Sequence, residues 1–306
     1  MKLSIIIPCK NESRNILELY RMITDILGKI KYELIFVDDG STDDTLEVLK
    51  KLYNDDVKHV KVLSFSRNFK MEAAVLAGLE HSNGEYTCVI NANLKYNPKY
   101  IFDMYNFLEE NSDYDSVAMI QKEQKEFLIK KISYKLMMKI CDINEEPVFS
   151  NYRMFRKNVK ESLINSSSNY KSFCGLFAWI GFKTKVLDLE NEEGIIVKNN
   201  KDVNNCIKEC IFAFSDKPLT WSIYLGIVSL IVALLYLIVV IVQVFAFDIK
   251  MKAVYALIIL MLLLFGLQFI IIGLVGKYLS LISDQVKNRP VYIIKDKIGF
   301  SSETIL

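Results

Sequence analysis

The stretch YELIFVDDGSTDDTLEVLKKLY, residues 32–53, decides the fold class of this chain. An apolar run from Tyr32 ends in Asp38 and Asp39, a Gly-Ser turn follows, and a helical pattern begins after Asp43. A short apolar run that ends at turn residues predicts a buried strand, and apolar positions three or four apart predict a helix. The stretch therefore predicts a strand–turn–helix unit with Asp43 as its helix cap.

The same unit recurs through the first part of the chain. A helical pattern follows each of the first four predicted strands, and the fourth helix has Pro98 near its first turn. Alternation of this kind predicts an α/β fold with a doubly wound, mostly parallel sheet. The predicted strands are Leu3–Pro8, Tyr32–Asp39, Val60–Phe65, residues 85–91 and Asp115–Ile120.

Polar side chains follow the first two predicted strands at the point where each strand ends. Asn11 and Glu12 follow the first strand, and Asp38 and Asp39 close the second. Open α/β sheets bind ligands at the carboxyl ends of their strands, and carboxylates there can accept hydrogen bonds from a nucleotide base or from ribose hydroxyls. The alternative is an ordinary turn before a capped helix, and the residues alone favour neither interpretation.

A third polar cluster lies at the end of the fourth predicted strand. Asn91 and Asn93 are two positions apart, so we expect their side chains to point the same way, and Lys95 follows them. Carboxylates at these positions would form a site for a divalent cation, whereas amides contribute no negative charge. The alternative is that the amides serve only as loop or helix-capping groups.

Composition argues against several classes of function. The net charge is +2, which gives no electrostatic case for nucleic-acid binding. Neither the GxGxxG nor the P-loop glycine pattern occurs, so dinucleotide and Walker-type phosphate sites are unsupported. The 6 cysteines are scattered, mostly within apolar runs, which favours reduced, buried thiols over a zinc site.

Two long apolar segments, Trp221–Phe247 and Ala253–Gly276, follow the α/β pattern. Each exceeds the roughly 20 residues that cross a bilayer, and the connector is short, so a transmembrane hairpin is predicted. Lysines flank the pair more than they populate the connector, which predicts that both chain ends are cytoplasmic. We expect a multi-pass protein of the cytoplasmic (inner) membrane, with core helices of a soluble protein as the alternative.

The region between the α/β pattern and the apolar segments contains two segments that are typical of a membrane surface. A basic amphipathic pattern over residues 126–140 and an aromatic segment, Phe173–Phe182, predict contact with lipid headgroups. For the first of these, an ordinary surface helix packed on the sheet is the alternative.

Six segments carry a resemblance to a known family: SIIIPCKNES, FVDDGSTDDTLEVL, SRNFKMEAAVLAGL, FCGLFAWIGF, FSDKPL and KNRPVYII. With the predicted hairpin, they resemble bacterial polyprenyl-phosphate glycosyltransferases, family 2 enzymes similar to dolichol-phosphate mannose synthase. The resemblance implies a GT-A fold at the membrane surface. It implies transfer of a sugar from a nucleotide-sugar, UDP-linked here, to undecaprenyl phosphate. It also implies Mg²⁺ or Mn²⁺ as cofactor and a homotetramer.

The resemblance also divides the chain and assigns its donor site. Residues 1–122 would bind the nucleotide-sugar, 123–220 would complete the GT-A domain with interfacial helices, 221–247 and 253–276 would cross the membrane, and 277–306 would form a cytoplasmic tail. The nucleotide-sugar would contact Pro8, Asn11, Glu12, Asp38, Asp39 and Arg67.

The chain departs from the family pattern at charged positions. Asn91 and Asn93 occupy the family's metal-binding Asp-x-Asp positions, and Lys95 replaces a Gln. Asn151 replaces the Asp that acts on the acceptor in the family's Asp-Phe-Arg segment, whose Arg is retained as Arg153. Hard divalent cations prefer carboxylate oxygens, so we expect metal binding to be lost and no cofactor to be used.

Two hypotheses follow from these departures. The favoured one is a pseudoenzyme with weak or no catalysis, which forms a homo-oligomer or joins an active homologue in a hetero-oligomer. The alternative is an active, metal-independent transferase in which Lys95 replaces the metal and Asn151 and Arg153 complete the catalytic group.

Overall fold

A computed structural model describes residues 1–28, 30–93, 97–121, 150, 152–167, 173–189, 217–247, 250–287 and 290–300. The chain forms two compact units. The first comprises Met1–Cys210 together with Pro290–Leu306, and the second comprises Ile211–Arg289.

The first unit contains all the described strands and the shorter helices, and the second contains two long helices. The strands are β1 (Leu3–Cys9), β2 (Tyr32–Asp38), β3 (Val60–Phe65), β4 (Tyr86–Val89), β5 (Ser116–Gln121), β6 (Arg153–Arg156), β7 (Thr184–Leu189) and β8 (Ile294–Ile298). The helices are α1 (Ile16–Leu27), α2 (Thr45–Asp55), α3 (Met71–Glu80), α4 (Tyr100–Glu110), α5 (Lys157–Ser167), α6 (Phe173–Ile180), α7 (Lys217–Phe247) and α8 (Lys250–Val286).

The described strands form one sheet in the order β7-β5-β6-β4-β1-β2-β3-β8. The pairs β1–β2, β1–β4, β2–β3 and β5–β7 are parallel, whereas β6 and β8 run antiparallel to their neighbours. The predicted doubly wound, mostly parallel sheet is therefore confirmed. It has the GT-A-like arrangement that the resemblance implies.

The apolar runs that predicted the central strands reflect burial on both faces of the sheet. Every residue of β1 and β2 is buried. Helix α1 buries one face, made by Ile16, Leu19, Ile23 and Leu27. Its charged residues Glu18, Arg21 and Asp25 are exposed. Strands covered by helices on both sides read as continuous apolar runs, which is why the sequence predicted them well.

Strand β8 lies in the segment that the sequence predicted only as a cytoplasmic tail. It pairs with β3 in antiparallel fashion, from Val62 opposite Ile298 to Phe65 opposite Ile294. Its residues alternate between half-buried and exposed. Only the ends of the strand are apolar and its centre is charged, so no apolar run marked it. Helix α8 also continues past the predicted end of the second apolar segment, to Val286.

The second unit consists of α7 and α8, and its sequence is strongly apolar. Among the described residues, one stretch, Leu219–Tyr236, is long and apolar enough to cross a membrane by length and composition, and a shorter apolar stretch is Leu264–Ser280. Apolar side chains along both helices are exposed, Leu235 and Phe269 among them. The second predicted span thus has less support than the first. The predicted amphipathic helix over residues 126–140 lies outside the described residues.

Candidate donor-binding cleft

A cleft of about 330 Å³ lies at the carboxyl ends of the central strands. This is the edge where open α/β sheets bind ligands, and the volume is within the range of small-molecule sites. Its walls combine acidic, basic and amide side chains. The lining residues are Pro8, Cys9, Lys10, Glu12, Asp39, Asn68, Lys70, Met71, Ala74, Asn91, Ala92 and Asn93.

One side of the cleft, which we call the aspartate side, is built from Asn11, Glu12, Asp38 and Asp39, of which Glu12 and Asp39 line the cleft. Asn11 has a left-handed backbone (φ 55°), which Asn tolerates better than most residues. Its backbone N–H donates to Ser41 Oγ at 3.0 Å, and its Oδ1 accepts from the Thr42 N–H at 2.9 Å. Asn11 therefore ties the loop after β1 to the loop after β2 and does not line the cleft.

Asp38 is a buried structural acceptor. Its Oδ1 accepts from the Ser41 N–H at 3.1 Å, and its Oδ2 accepts from the Ser64 hydroxyl at 2.9 Å. It is 2% exposed and lies beneath the cleft surface rather than on it. Its carboxylate thus closes the turn after β2 and joins that turn to β3.

Asp39 does line the cleft. Its Oδ1 accepts a hydrogen bond from the Phe69 N–H at 2.6 Å. Burial raises the pKa of this carboxyl above the usual aspartate value, although the Phe69 N–H, the charge of Lys10 and the Lys70 N–H pull the pKa down. Asp39 is therefore an acceptor fixed in place at the cleft wall.

Gly40 allows the β2–α2 turn to lie against the β3–α3 loop, which comprises residues 66–70. Its φ is +62°, and a Cβ there would lie 2.6 Å from the carbonyl carbon of Arg67 and 2.8 Å from the Asn68 nitrogen. Only glycine fits both the backbone conformation and the close approach.

Glu12 contributes a second carboxylate to the cleft wall. Its backbone N–H donates to Thr45 Oγ1 at 2.9 Å, which links it to the start of α2. Asn15 Nδ2 donates to Glu12 Oε2 at 2.6 Å. The predicted helix cap, Asp43, is wrong by one position, because the N-cap residue is Asp44. Asp43 Oδ1 nevertheless accepts from the Thr45 N–H at 3.1 Å, at the first residue of α2.

The opposite wall, which we call the amide side, consists of Asn91 and Asn93 after β4. Both residues line the cleft, so the structure brings the two predicted metal positions to the predicted place. Asn91 Oδ1 is buried and has no hydrogen-bond partner within the described part of the chain. Lys95 lies outside the described residues. The amide side thus contains a buried carbonyl oxygen without a partner among the described residues, in a residue that lines the cleft.

The side chains of the cleft do not fit a divalent cation. Among the described residues, no group of three or more His, Cys, Asp or Glu side chains could hold a metal ion. Asn91 and Asn93 supply neutral oxygens, and Lys10 and Lys70 add positive charge to the same cleft. Metal affinity rises with ligand charge, so Mg²⁺ or Mn²⁺ is disfavoured here.

Lys10 and Lys70 are cleft residues that the sequence reasoning missed. The signal for Lys10 was its position directly after β1, because ligands bind at the carboxyl ends of the strands. Lys70 precedes α3 with a φ of 77°, a backbone conformation that the sequence does not reveal.

The predicted arginines lie away from the cleft lining. Arg67 is exposed, and its guanidinium lies 4.5 Å from the centre of the Phe69 ring. Arg153 is buried, its Nε donates to the Ser150 carbonyl at 3.0 Å, and its guanidinium lies 3.9 Å from the centre of the Phe177 ring. Asn151 lies outside the described residues.

Comparison with known proteins places this fold and cleft in a family. The Glycosyl transferase family 2 profile matches residues 4–188. The chain belongs to glycosyl transferase family 2. The resemblance to this family is therefore confirmed, and the GT-A-like fold class agrees with it.

Relatives of this family 2 protein align over nearly its whole length. It is 32% identical to "Putative glycosyltransferase CsbB" of Bacillus subtilis, over 96% of this chain and 91% of the relative. It is 29% identical to the "SfII prophage-derived bactoprenol glucosyl transferase" of Shigella flexneri, over 96% of this chain and 98% of the relative. A solved structure of glucosyl-3-phosphoglycerate synthase from Mycobacterium tuberculosis, with Mn²⁺ and UDP-glucose, is 14% identical, covers 70% of this chain and 78% of its own, and has a TM-score of 0.48.

Proposed function

We propose that this family 2 protein is a membrane-anchored member of the polyprenyl-phosphate type that holds a UDP-linked sugar without a metal and transfers it weakly or not at all. The observation that carries the proposal is the amide side of the cleft, where Asn91 and Asn93 stand near Lys10 and Lys70. Its biological role is then that of a non-catalytic subunit beside an active homologue. The bactoprenol glucosyl transferase relatives support polyprenyl phosphate as the acceptor class.

The aspartate side supports nucleotide binding. Asp39 and Glu12 present carboxylate oxygens at the end of the sheet where ligands bind. Asp39 is held by the Phe69 N–H of a neighbouring loop, and Glu12 by the Asn15 side chain in its own loop. Fixed acceptors suit the N–H of a uracil base and the hydroxyls of ribose. This wall therefore retains what recognition of a nucleoside requires.

The amide side supports weak catalysis. Departure of a nucleoside diphosphate builds negative charge, and stabilising that charge is the main electrostatic task of the transfer. Loss of one such stabilising group costs about 3 kcal/mol of transition-state stabilisation. Asn91 and Asn93 bind a divalent cation too weakly for such a cation to supply this stabilisation.

Anchoring is proposed from α7 and α8. The stretch Leu219–Tyr236 in α7 could cross a membrane by length and composition. With the shorter apolar stretch in α8, it would form the hairpin that leaves both chain ends in the cytoplasm. The amphipathic helix over residues 126–140 would then rest on the lipid surface.

Titration of the detergent-purified full chain with UDP, with and without Mn²⁺, tests the metal-free site. We expect weak binding whose dissociation constant changes less than about twofold on adding Mn²⁺, because amides stand in place of a carboxylate pair at the end of β4. Tightening of about tenfold or more with Mn²⁺ would contradict the proposal. The N91D/N93D variant is the positive control, because it restores both carboxylates and is expected to gain metal dependence.

A non-catalytic subunit needs a partner, and native mass spectrometry tests this role. We expect hetero-oligomers when the protein is co-expressed with an active family 2 homologue from the same cell. A homo-oligomer that turns over nucleotide-sugar on its own would contradict the subunit role.

The second candidate is an active, metal-independent transferase. It is favoured by Lys10 and Lys70, which bring two positive charges into the cleft, with Lys95 as a third cation nearby in sequence. This candidate predicts formation of glycolipid from UDP-sugar and undecaprenyl phosphate in EDTA, abolished by Lys95→Ala. No product with any UDP-sugar in EDTA would contradict it.

A further inference from the structure

The segment Pro290–Phe300, which follows α8 in the chain, returns to the sheet beside the cleft. Its strand β8 pairs with β3, with a register irregularity between Ser64 and Phe65. Beyond the last pair, the Ser66 N–H donates to the Ile293 carbonyl at 3.0 Å. The pairing therefore reaches the first residue of the β3–α3 loop, whose Asn68 and Lys70 line the cleft.

Tyr292 bridges the two elements that flank this loop. Its ring stacks on Phe65, the last residue of β3, with centroids 5.1 Å apart and an interplanar angle of 17°. Its hydroxyl donates to the carboxylate of Glu80, the last residue of α3. Phe65 in turn meets the ring of Phe69 edge-on at 5.7 Å. One side chain thus connects the end of β3, the end of α3 and the loop between them.

The loop needs such support because its conformation is demanding. Lys70 has a φ of 77°, which is unfavourable for a residue with a Cβ and persists where the surroundings enforce it. The same loop supplies the Phe69 N–H that fixes Asp39 in the cleft wall. Displacement of Phe69 would release that carboxylate.

We propose that Pro290–Phe300 acts as a clamp on the β3–α3 loop and that Tyr292 is a positioning residue for the nucleotide cleft. The clamp acts through Phe65 and Phe69 on Asp39 and does not touch the nucleotide itself. The affinity part of this inference rests on the proposed function, namely that the cleft binds UDP.

Hydrogen exchange of the full chain in detergent tests the clamp without any nucleotide. In Tyr292→Ala, amides of residues 66–70, including Phe69, should exchange about three- to tenfold faster than in the unmodified protein, a factor that matches the loss of one aromatic pair. Val291→Ala is the matched control, because Val291 is in the same segment and is 47% exposed. Tyr292→Leu repeats the test with apolar volume retained, should the alanine variant fold poorly. Unchanged exchange in the variants would overturn the inference.

UDP titration then tests the consequence for binding. Tyr292→Ala should weaken UDP affinity by about three- to tenfold, while Tyr292→Phe, which keeps the stacked ring, should stay within about twofold. A lower unfolding temperature with unchanged UDP affinity would indicate a merely structural role and would overturn the inference. If the unmodified protein binds no UDP while exchange still rises in Tyr292→Ala, the proposed function fails and the clamp stands.

Discussion

The two sides of the cleft use their polar side chains in opposite ways. On the aspartate side, Asp38 accepts two hydrogen bonds from the protein and Asp39 accepts one. On the amide side, Asn91 Oδ1 is buried and has none from the described residues. A satisfied buried acceptor stabilises the fold, whereas an unsatisfied one costs stability unless a ligand or water completes it. The aspartate side is therefore fixed by hydrogen bonds within the protein, whereas the amide side keeps a buried acceptor that these bonds leave unpaired.

The largest expected effect is a loss of stability on the aspartate side. Gly40→Ala should lower the free energy of unfolding by about 3 kcal/mol, from the left-handed backbone and from overpacking against Arg67 and Asn68. Gly181→Ala is the control, because Gly181 also has a positive φ (73°) but a Cβ added there would meet nothing within 4 Å. The difference between the two variants in thermal or denaturant unfolding isolates the close approach. Equal losses would refute it.

A smaller loss is expected when the buried acceptor of the aspartate side is removed. Asp38→Ala leaves the Ser41 N–H and the Ser64 hydroxyl without their partner and should cost about 2 kcal/mol of stability. Asp44→Ala, in the same loop, is the control, because Asp44 makes no side-chain capping hydrogen bond. Denaturant unfolding compares them. An Asp38→Ala variant as stable as the control would show that the turn after β2 holds without this carboxylate.

On the amide side, removal of a buried polar group should raise stability instead of lowering it. Asn91→Leu removes an unpaired buried carbonyl and should raise stability by about 1 kcal/mol while weakening UDP binding about threefold or more. Thr87→Val is the control, because Thr87 Oγ1 is also buried and unpaired among the described residues but lies outside the cleft lining. It should gain similar stability and keep its UDP affinity. A loss of stability in Asn91→Leu would mean that the Asn91 amide stabilises the fold.

The smallest expected effect concerns protonation of the aspartate side. Burial raises the pKa of Asp39, so its carboxylate is fully ionised only above a pH higher than for an ordinary aspartate. If it accepts from the base, uridine affinity should fall as pH drops through that pKa, and the decline should begin at a higher pH than an ordinary aspartate would give. Uridine is preferred to UDP as the probe because it carries no phosphate that titrates in this range. Ligand-observed NMR of the unmodified protein and Asp39→Asn provides the test, and the same pH dependence in both would contradict the role.

Elements that are buried on both faces could be predicted from the sequence. Elements and contacts that depend on particular hydrogen-bond partners could not. Strands β1 and β2 could be predicted because every position is buried and most are apolar, with Ser4, Glu33 and Asp38 as the polar exceptions. Strand β6 was not predicted, because its four residues begin and end in arginine. Strand β8 was missed for the same reason, with charges at its centre.

The cleft was predicted in outline and not in detail. Four residues predicted from strand ends, Glu12, Asp39, Asn91 and Asn93, line one cleft, since carboxyl ends of parallel strands meet at one edge. Asp38 and Asp39 are adjacent but have different roles, because the tertiary fold brings different hydrogen-bond donors to each carboxylate. Asp38 meets Ser64 across the sheet, a neighbour that a linear pattern cannot indicate.

Pairing of β8 with β3 has a consequence for the order in which this protein is made. Lys50, which precedes β3 in the chain, forms an ion pair with Asp296 of β8, 246 positions further on. The ribosome therefore completes β3 long before its antiparallel neighbour β8. Both apolar helices are synthesised in that interval. Until β8 arrives, one edge of β3 has unpaired backbone groups, which can capture a strand from another molecule. The edge of the sheet beside the cleft is therefore still unpaired when both apolar helices have been synthesised, and overexpression should favour exchange of β8 between copies.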